Sequence, residues 1–329
     1  MTPSDTCVLS VKDLSVEFRS PSGPIVAVDR VTFDVRLGEV LSIVGESGSG
    51  KSVTALSILG LHDEFAGRIT NGSVHYGGQD LAKLDRKLMR RLRGSEIAMI
   101  FQEPMSALNP VMTIGDQIAE SLITRGMRRK EAHERAVDLL DRVRIPSASR
   151  RAKEFPHQFS GGMRQRAMIA MALVGNPKLL IADEPTTALD VTIQAQILEL
   201  LRSLQEETGM SMILITHDMG IVANYADRAQ VMYCGRVVES GPVQQLFDNP
   251  SHPYTRQLLA CIPKLGAVEE RMRAIPGSVP PPSSWGEGCR FAGRCELARP
   301  GCIAGRPALR EIAPSQQAAC ILLEGATIQ

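Results

Sequence analysis

The sequence predicts an α/β fold built on a mostly parallel sheet, and three observations predict it. A continuously apolar run at residues 40–44 (VLSIV) leads into a glycine-rich turn and then into helical periodicity. A second apolar run, residues 179–182, ends in Asp183-Glu184. Between residues 162 and 226, strand-like and helix-like segments alternate, as in parallel strands joined by crossover helices.

The elements follow in chain order. Val26, Val28, Val31, Phe33 and Val35 recur mostly at intervals of two, the mark of half-buried antiparallel strands. Gly38-Glu39 reads as a turn, residues 40–44 as a strand buried on both faces, and residues 52–61 as a helix. Residues 97–101 (IAMIF) form another buried strand. From about 103 to 160 charges are dense, and helical periodicity at 114–124 and 130–143 predicts a mostly helical insertion. A helix at 162–174, a strand at 179–182, a helix at 191–207, a strand at 212–216 and a helix at 219–226 come next. Residues 229–233 and 236–240, joined at Cys234-Gly235, read as a closing hairpin. Beyond Gly241, Asn249-Pro250, His252-Pro253 and Pro280-Pro281-Pro282 mark irregular chain, with Pro253 placed to open a short helix to residue 262. The expected organisation is one domain over 1–245 and an extension over 246–329.

Composition narrows the function. Lys plus Arg is 37 and Asp plus Glu is 36, so the formal net charge is +1, which argues against general electrostatic binding to nucleic acid or an anionic membrane face. The longest apolar stretch, residues 167–174, is far short of the ~20 residues that span a bilayer. Met1 to Asp5 show no basic and apolar leader pattern, so no signal peptide is expected. Seven cysteines, an odd count without an export signal, suggest a reducing compartment. Four of them, Cys289, Cys295, Cys302 and Cys320, follow C-x5-C-x6-C-x17-C. No C-x2-C pair favours a zinc ribbon, and the chemistry leaves a [4Fe–4S] cluster, Zn²⁺ and unliganded thiols open. Arg290 and Arg294 stand where they could offset thiolate charge, or simply face solvent. Cys7, Cys234 and Cys261 show no pattern and read as ordinary thiols.

Gly45-Glu46-Ser47-Gly48-Ser49-Gly50-Lys51-Ser52 matches G-x4-G-K-[ST] between a buried strand and a helix, the context a phosphate-binding loop requires. Its glycines let backbone N–H groups turn inward around phosphates, and the helix N-terminus adds positive potential. Lys51 is placed for the outer phosphates of a nucleotide and the Ser52 hydroxyl for Mg²⁺. Asp183 can hold Mg²⁺ through water, and Glu184 can orient or deprotonate an attacking water.

Ser160-Gly161-Gly162-Met163-Arg164-Gln165-Arg166 stands shortly before Asp183-Glu184. With that addition the sequence resembles the nucleotide-binding subunits of ABC transporters. The resemblance implies a P-loop NTPase core of ABC type, with an antiparallel β subdomain, the helical insertion and the C-terminal cysteine-containing extension. It implies that Ser160, Gly161 and Gly162 cap the ATP held by an opposite subunit, a role suited to a helix N-terminus. The family's usual L-S-G-G-Q is altered at both ends here, to Phe159 and Met163. Gln102 matches the family's glutamine that senses Mg²⁺ and γ-phosphate, Asp190 of Ala188-Leu189-Asp190 its loop at the dimer interface, and His217 its histidine at the γ-phosphate. Phe18 is either the aromatic that stacks on adenine or part of the strand core.

Within the family, Asn249-Pro250-Ser251-His252-Pro253-Tyr254-Thr255 is similar to the H-P-Y-T segment of ATPases serving dipeptide, oligopeptide and nickel importers, and dipeptide permeases most of all. The runs at residues 101–110 (FQEPMSALNP) and 182–192 (ADEPTTALDVT) also look like that branch. This implies ATP, Mg²⁺ and a [4Fe–4S] cluster on the four tail cysteines. It also implies a paralogous ATPase subunit, two transmembrane permease subunits docked on the helical insertion, and an extracytoplasmic solute-binding protein. The expected location is the cytoplasmic face of the inner membrane, peripheral, with peptide as cargo and nickel as the runner-up. A redox or iron sensor in the tail, gating the ATPase, is compatible with transport. A soluble ABC-type ATPase acting on DNA or ribosomes is the competing class; two cassettes, a coiled coil or a basic arm would signal it, and none is seen in the sequence.

Overall fold

Apolar runs too long to alternate must be covered on both faces, and the four such runs of this chain become strands with every residue buried. They are β3 (Val40–Val44), β6 (Ile97–Ile100), β7 (Leu179–Asp183) and β8 (Ser211–Thr216). The computed structural model describes residues 7–21, 23–62, 67–262 and 274–323. The leader reading of Met1 to Asp5 lies outside the described residues. No described helix is long and apolar enough to cross a membrane.

The chain forms two units, one from residues 1–35, 39–83 and 215–329, the other from 36–38 and 84–214. The first begins with β1 (Cys7–Phe18), β2 (Ile25–Arg36), β3, α1 (Lys51–Ile58), β4 (Gly67–Tyr76) and β5 (Gln79–Asp80). Strands β2, β1, β4 and β5 lie side by side in that order, with β1 antiparallel to β4 from Leu9 opposite Tyr76 to Phe18 opposite Gly67. Alternation explains this sheet: Leu9, Val11, Leu14 and Val16 are buried, and the residues between them are less so.

The second unit holds α2 (Arg86–Leu92), β6, α3 (Pro104–Ala107), α4 (Ile114–Ile123), α5 (Arg129–Arg142), α6 (Ala148–Arg151), α7 (Gly161–Leu173), β7, α8 (Val191–Thr208) and β8. The stretch from 103 to 160 is helical, as its periodicity predicts. Thr113 caps α4 by accepting from the Asp116 N–H. Ile114, Ile118 and Leu122 of α4 are buried, as are Ala132, Ala136, Leu139 and Leu140 of α5. The apolar stripes at helical spacing are what hold this charged segment together. Strands β6 and β7 pair in parallel, Ile97 opposite Leu179.

The chain then returns to the first unit with α9 (Met219–Tyr225), β9 (Arg228–Tyr233), β10 (Arg236–Pro242), α10 (Val243–Asp248), α11 (Pro253–Ala260), α12 (Gly301–Ala304), β11 (Arg310–Ala313) and β12 (Gln316–Ala318). Strand β9 runs parallel to β3, and β10 antiparallel to β9. The hairpin between them turns on Cys234 (φ 47°) and Gly235 (φ 77°), two residues with positive φ as the favoured two-residue hairpin turn requires. Strand β12 continues the ladder along β10, and β11 along β12.

The tail is built into the core of this unit rather than appended to it. Tyr233, Tyr254 and Phe291 are each at most 1% exposed and pack ring against ring at centroid distances of 4.7–5.2 Å. The fully buried Glu239 carboxylate accepts the Ser251 and His252 N–H groups (2.8 and 2.9 Å) and the Gln316 amide (3.0 Å), so a buried charge is satisfied three times over.

His252 gives this packing a pH signature. Its Nδ1 accepts the Tyr254 N–H at 3.1 Å. Burial, helped by nearby Arg256, pushes its pKa down to about 3. The unfolded chain takes up this proton near pH 6.5, and the folded chain only near 3. Stability is therefore complete above about pH 6.5 and falls as the pH drops from there toward 3, by about 1.4 kcal/mol per pH unit. Urea denaturation at pH 7.0 and 5.5 is expected to show this loss in the wild type and a flatter dependence in His252→Asn. An equal loss in both proteins would show that another group titrates.

Candidate nucleotide site

The phosphate loop belongs to the first unit. It leaves β3 at Gly45, where a Cβ would lie 2.1 Å from the Met232 carbonyl oxygen, so no side chain fits. It enters α1 at Gly50, which caps the helix at φ 97° with a would-be Cβ 2.7 Å from the Ala27 oxygen. The Gly235 N–H donates to the Ser49 carbonyl at 2.9 Å, tying the β9–β10 turn to the loop. Lys51 is only 5% exposed, and its Nζ donates to the Gly45 and Glu46 carbonyls at 2.7 and 3.1 Å. The ammonium thus curls over its own loop, satisfied by backbone oxygens that phosphate oxygens can replace. Ser47 and Gly48 are exposed at the tip, and Ser52 is half-buried at the start of α1.

Strand β8 ends in the first unit, and His217 follows it there, exposed. Phe18 ends β1 half-buried, its Cε1 close enough to Gly67 that a Cβ there would approach to 2.9 Å. That ring rests against the neighbouring strand β4.

The second unit brings Gln102, Asp183 and Glu184 together. Asp183 ends β7 with 4% exposure. Glu184 follows at φ 44°, a left-handed conformation that costs a non-glycine residue about 1–3 kcal/mol and clusters at functional sites. Its Oε2 accepts from Gln102 Nε2 at 3.2 Å and from Thr187 Oγ1 at 2.8 Å. Two donors on one oxygen hold the carboxylate in place. Ala188 is left-handed as well (φ 64°).

In the same unit Ser160 caps α7, its Oγ accepting the Met163 N–H at 3.3 Å. Gly161 is exposed at the start of that helix, and Gly162 passes so close to Ile193 that a Cβ would meet Cγ2 at 2.9 Å. Phe159 is buried, so the departure from the usual motif is absorbed by the core. Asp190 caps α8 by accepting from the Ile193 N–H at 2.9 Å.

Residues 28–187 match the family described as ABC transporter, and residues 238–302 match the family described as oligopeptide/dipeptide transporter, C-terminal region. A protein of Brucella abortus is 56% identical over 301 residues, covering 91% of this chain and 90% of its own. The chain belongs to the ABC transporter ATP-binding proteins. A Brucella melitensis relative is 54% identical over 326 residues, covering 95% and 96% of the two chains. Both carry the provisional name of peptide import ATP-binding protein. Among solved structures, a dimeric ATP-binding cassette bound to ADP and phosphate in a post-hydrolysis state aligns at TM-score 0.64 and 30% identity, covering 71% of this chain and 98% of that one. A Clostridium perfringens component of an ABC transporter complex, cbiO1, aligns at TM-score 0.64 and 29% identity, covering 74% and 92%. The chain is an ABC-type ATPase: ATP is its substrate, and Mg²⁺ accompanies it.

The tail of this ABC ATPase bears on two expectations. Cys289, Cys295, Cys302 and Cys320 do line one cavity, but it holds only about 10 Å³, roughly the room for one water. Among the described residues no group of three or more Cys, His, Asp or Glu is placed to hold a metal ion. The four thiols thus converge on one cavity without being grouped on a single metal ion. Burial pushes the Cys289, Cys295 and Cys320 thiols up, and mutual repulsion among the sulfurs adds to it. Second, Arg290 and Arg294 are spent elsewhere than on the thiols. Arg290 joins Arg236 and Arg306 around Asp29, at 2.6, 2.8 and 2.9 Å. Burial would raise the Asp29 pKa, but these three cations hold it below the usual range. Arg294 pairs with Glu46 of the phosphate loop.

Tyr254 and Arg294 are the residues that motif reasoning missed. The Tyr254 hydroxyl accepts the Glu46 N–H at 2.9 Å. Tyr254 sits in the H-P-Y-T segment, so a signal existed, but one that spoke of the branch and not of the loop it touches.

Proposed function

We propose that this ABC ATPase powers the import of short peptides through a membrane permease. The observation that carries the reading is the tail. Residues 238–302 match the oligopeptide/dipeptide transporter region, and that segment is packed into the nucleotide-binding unit, with Tyr254 on the phosphate loop. The relatives provisionally named for peptide import, each matched over nearly its whole length, support it.

Two ATPase subunits close head to tail on two ATP molecules, this chain with a paralogue. The loop from Gly45 to Ser52 holds the phosphates, and the Ser160-Gly161-Gly162 turn of the opposite subunit caps them. Ser52, Gln102 and Asp183 would hold Mg²⁺, which would supply charge neutralisation at the phosphate oxygens. Glu184 orients a water and takes its proton. A bond forms from the water oxygen to the γ-phosphorus, and the bond to the β,γ-bridging oxygen breaks, releasing ADP and phosphate. His217 contacts the γ-phosphate, and Asp190 lies at the subunit contact. ATP binding favours the closed pair and hydrolysis reopens it. The helical segment 103–160 passes that motion to two transmembrane permease subunits. A solute-binding protein delivers the peptide from outside, and the ATPase lies peripherally on the cytoplasmic face of the inner membrane.

We retain a [4Fe–4S] cluster on Cys289, Cys295, Cys302 and Cys320 as part of this proposal. The cysteine pattern and the convergence of all four on one cavity support it; the small volume of that cavity means the sulfurs must part to admit it. Anaerobic purification is expected to give about four irons and four labile sulfides per chain. Metal-free protein with full ATPase activity would leave the four thiols as packing.

Affinity capture from gently solubilised membranes tests the whole assignment. Two multi-span permeases, a related ATPase and a peptide-type binding protein are expected. Recovery with ribosomes or DNA and no permease would overturn transport while leaving the ATPase standing.

A further inference from the structure

The phosphate loop carries a carboxylate, although its ligand is a polyanion. Glu46, the second residue of the loop, is held from the tail: Arg294 Nη1 donates to its Oε2 at 2.8 Å and Nη2 to its Oε1 at 3.1 Å. This is a two-bond guanidinium–carboxylate pair, the geometry with the most directional strength. Arg294 is 7% exposed. Its Nε donates to the Pro276 carbonyl at 2.8 Å and its Nη2 to the Ile275 carbonyl at 3.3 Å, which fixes the plane of the guanidinium. Burial alone would lower the Arg294 pKa, but Glu46 and Tyr233 hold it above its ordinary value. The same tail segment reaches the loop a second way. Arg290 donates to the Cys234 carbonyl, and the next residue, Gly235, donates its N–H to Ser49.

An unpaired carboxylate beside incoming phosphates repels them, and a paired one does not. We propose that Arg294 is a positioning residue for nucleotide binding: it takes the Glu46 carboxylate out of the field of the phosphates and fixes the first turn of the loop. ATP affinity then depends on the tail being docked. The proposal rests on reading residues 45–52 as the ATP loop and adds a residue about 250 positions away to it.

The test is titration of the full-length chain with a fluorescent ATP analogue, in wild type, Arg294→Gln, Glu46→Gln and the double variant. Arg294→Gln is expected to weaken binding about tenfold, with the loss in KM rather than kcat. Glu46→Gln alone tightens binding, because the Arg294 cation is then left near the phosphates without its counter-charge. The double variant recovers most of the loss. A merely structural Arg294 would show no such recovery, so a double variant as weak as Arg294→Gln overturns the proposal, as does wild-type affinity in Arg294→Gln. If circular dichroism shows that Arg294→Gln does not fold, Glu46→Gln decides alone: unchanged or weaker binding overturns the proposal. A wild-type chain that binds no nucleotide would instead overturn the reading of the loop itself.

Discussion

Glu184→Gln is expected to bind ATP as the wild type does and to hydrolyse it at least about a hundredfold more slowly. The carboxylate is fixed by Gln102 and Thr187 on one oxygen, and its backbone is held left-handed at φ 44°. A glutamine fills the same space but has no basic oxygen for a water proton. Removing a positioned general base costs about 10²–10⁴ in rate. Phosphate release gives the rate, and a fluorescent nucleotide gives the affinity. Near-normal turnover in the variant would take Glu184 out of the chemistry.

Lys51→Ala is expected to act on the other quantity. Its ammonium is already buried and desolvated over the loop, bonded to the Gly45 and Glu46 carbonyls. Exchanging those neutral acceptors for phosphate oxygens strengthens each bond. A hydrogen bond to a charged group is worth about 1.5–3 kcal/mol, so losing the ammonium should weaken ATP binding roughly ten- to hundredfold. An unchanged dissociation constant would count against the loop as the phosphate site.

Much of this was legible from residues because the signals are local. VLSIV, IAMI and LLIAD are apolar but for Ser42 and Asp183, and became fully buried strands. The stripes of α4 and α5 became a helical segment, and Cys234-Gly235 became a hairpin turn. Strands β1 and β4 were less legible. The latter reads Gly-Arg-Ile-Thr-Asn-Gly-Ser-Val-His-Tyr, with little apolar alternation, and its place is set by pairing with β1. The β11–β12 hairpin is short and attached to β10, so it too follows tertiary context.

At the site, motifs located every loop but not what holds each one. Glu46 is one of the four unspecified positions of its motif, yet two tail side chains fix it, across 208 and 248 residues of chain. No window of sequence contains such a contact. Arg290 and Arg294 flank cysteines, and proximity in sequence suggested thiolate partners. Half-buried carboxylates, which cost more to leave unpaired than thiols that can stay protonated, claim them instead.

Hydrolysis at Glu184 is proposed to drive peptide uptake. Its most direct test is uptake of a labelled dipeptide and a labelled tripeptide by cells whose chromosomal copy carries either the wild-type residue or Glu184→Gln. Uptake of at least one peptide is expected in the wild type, and its loss in the variant while the chain and its permease persist at normal levels. Equal uptake of both peptides in the two strains would contradict it.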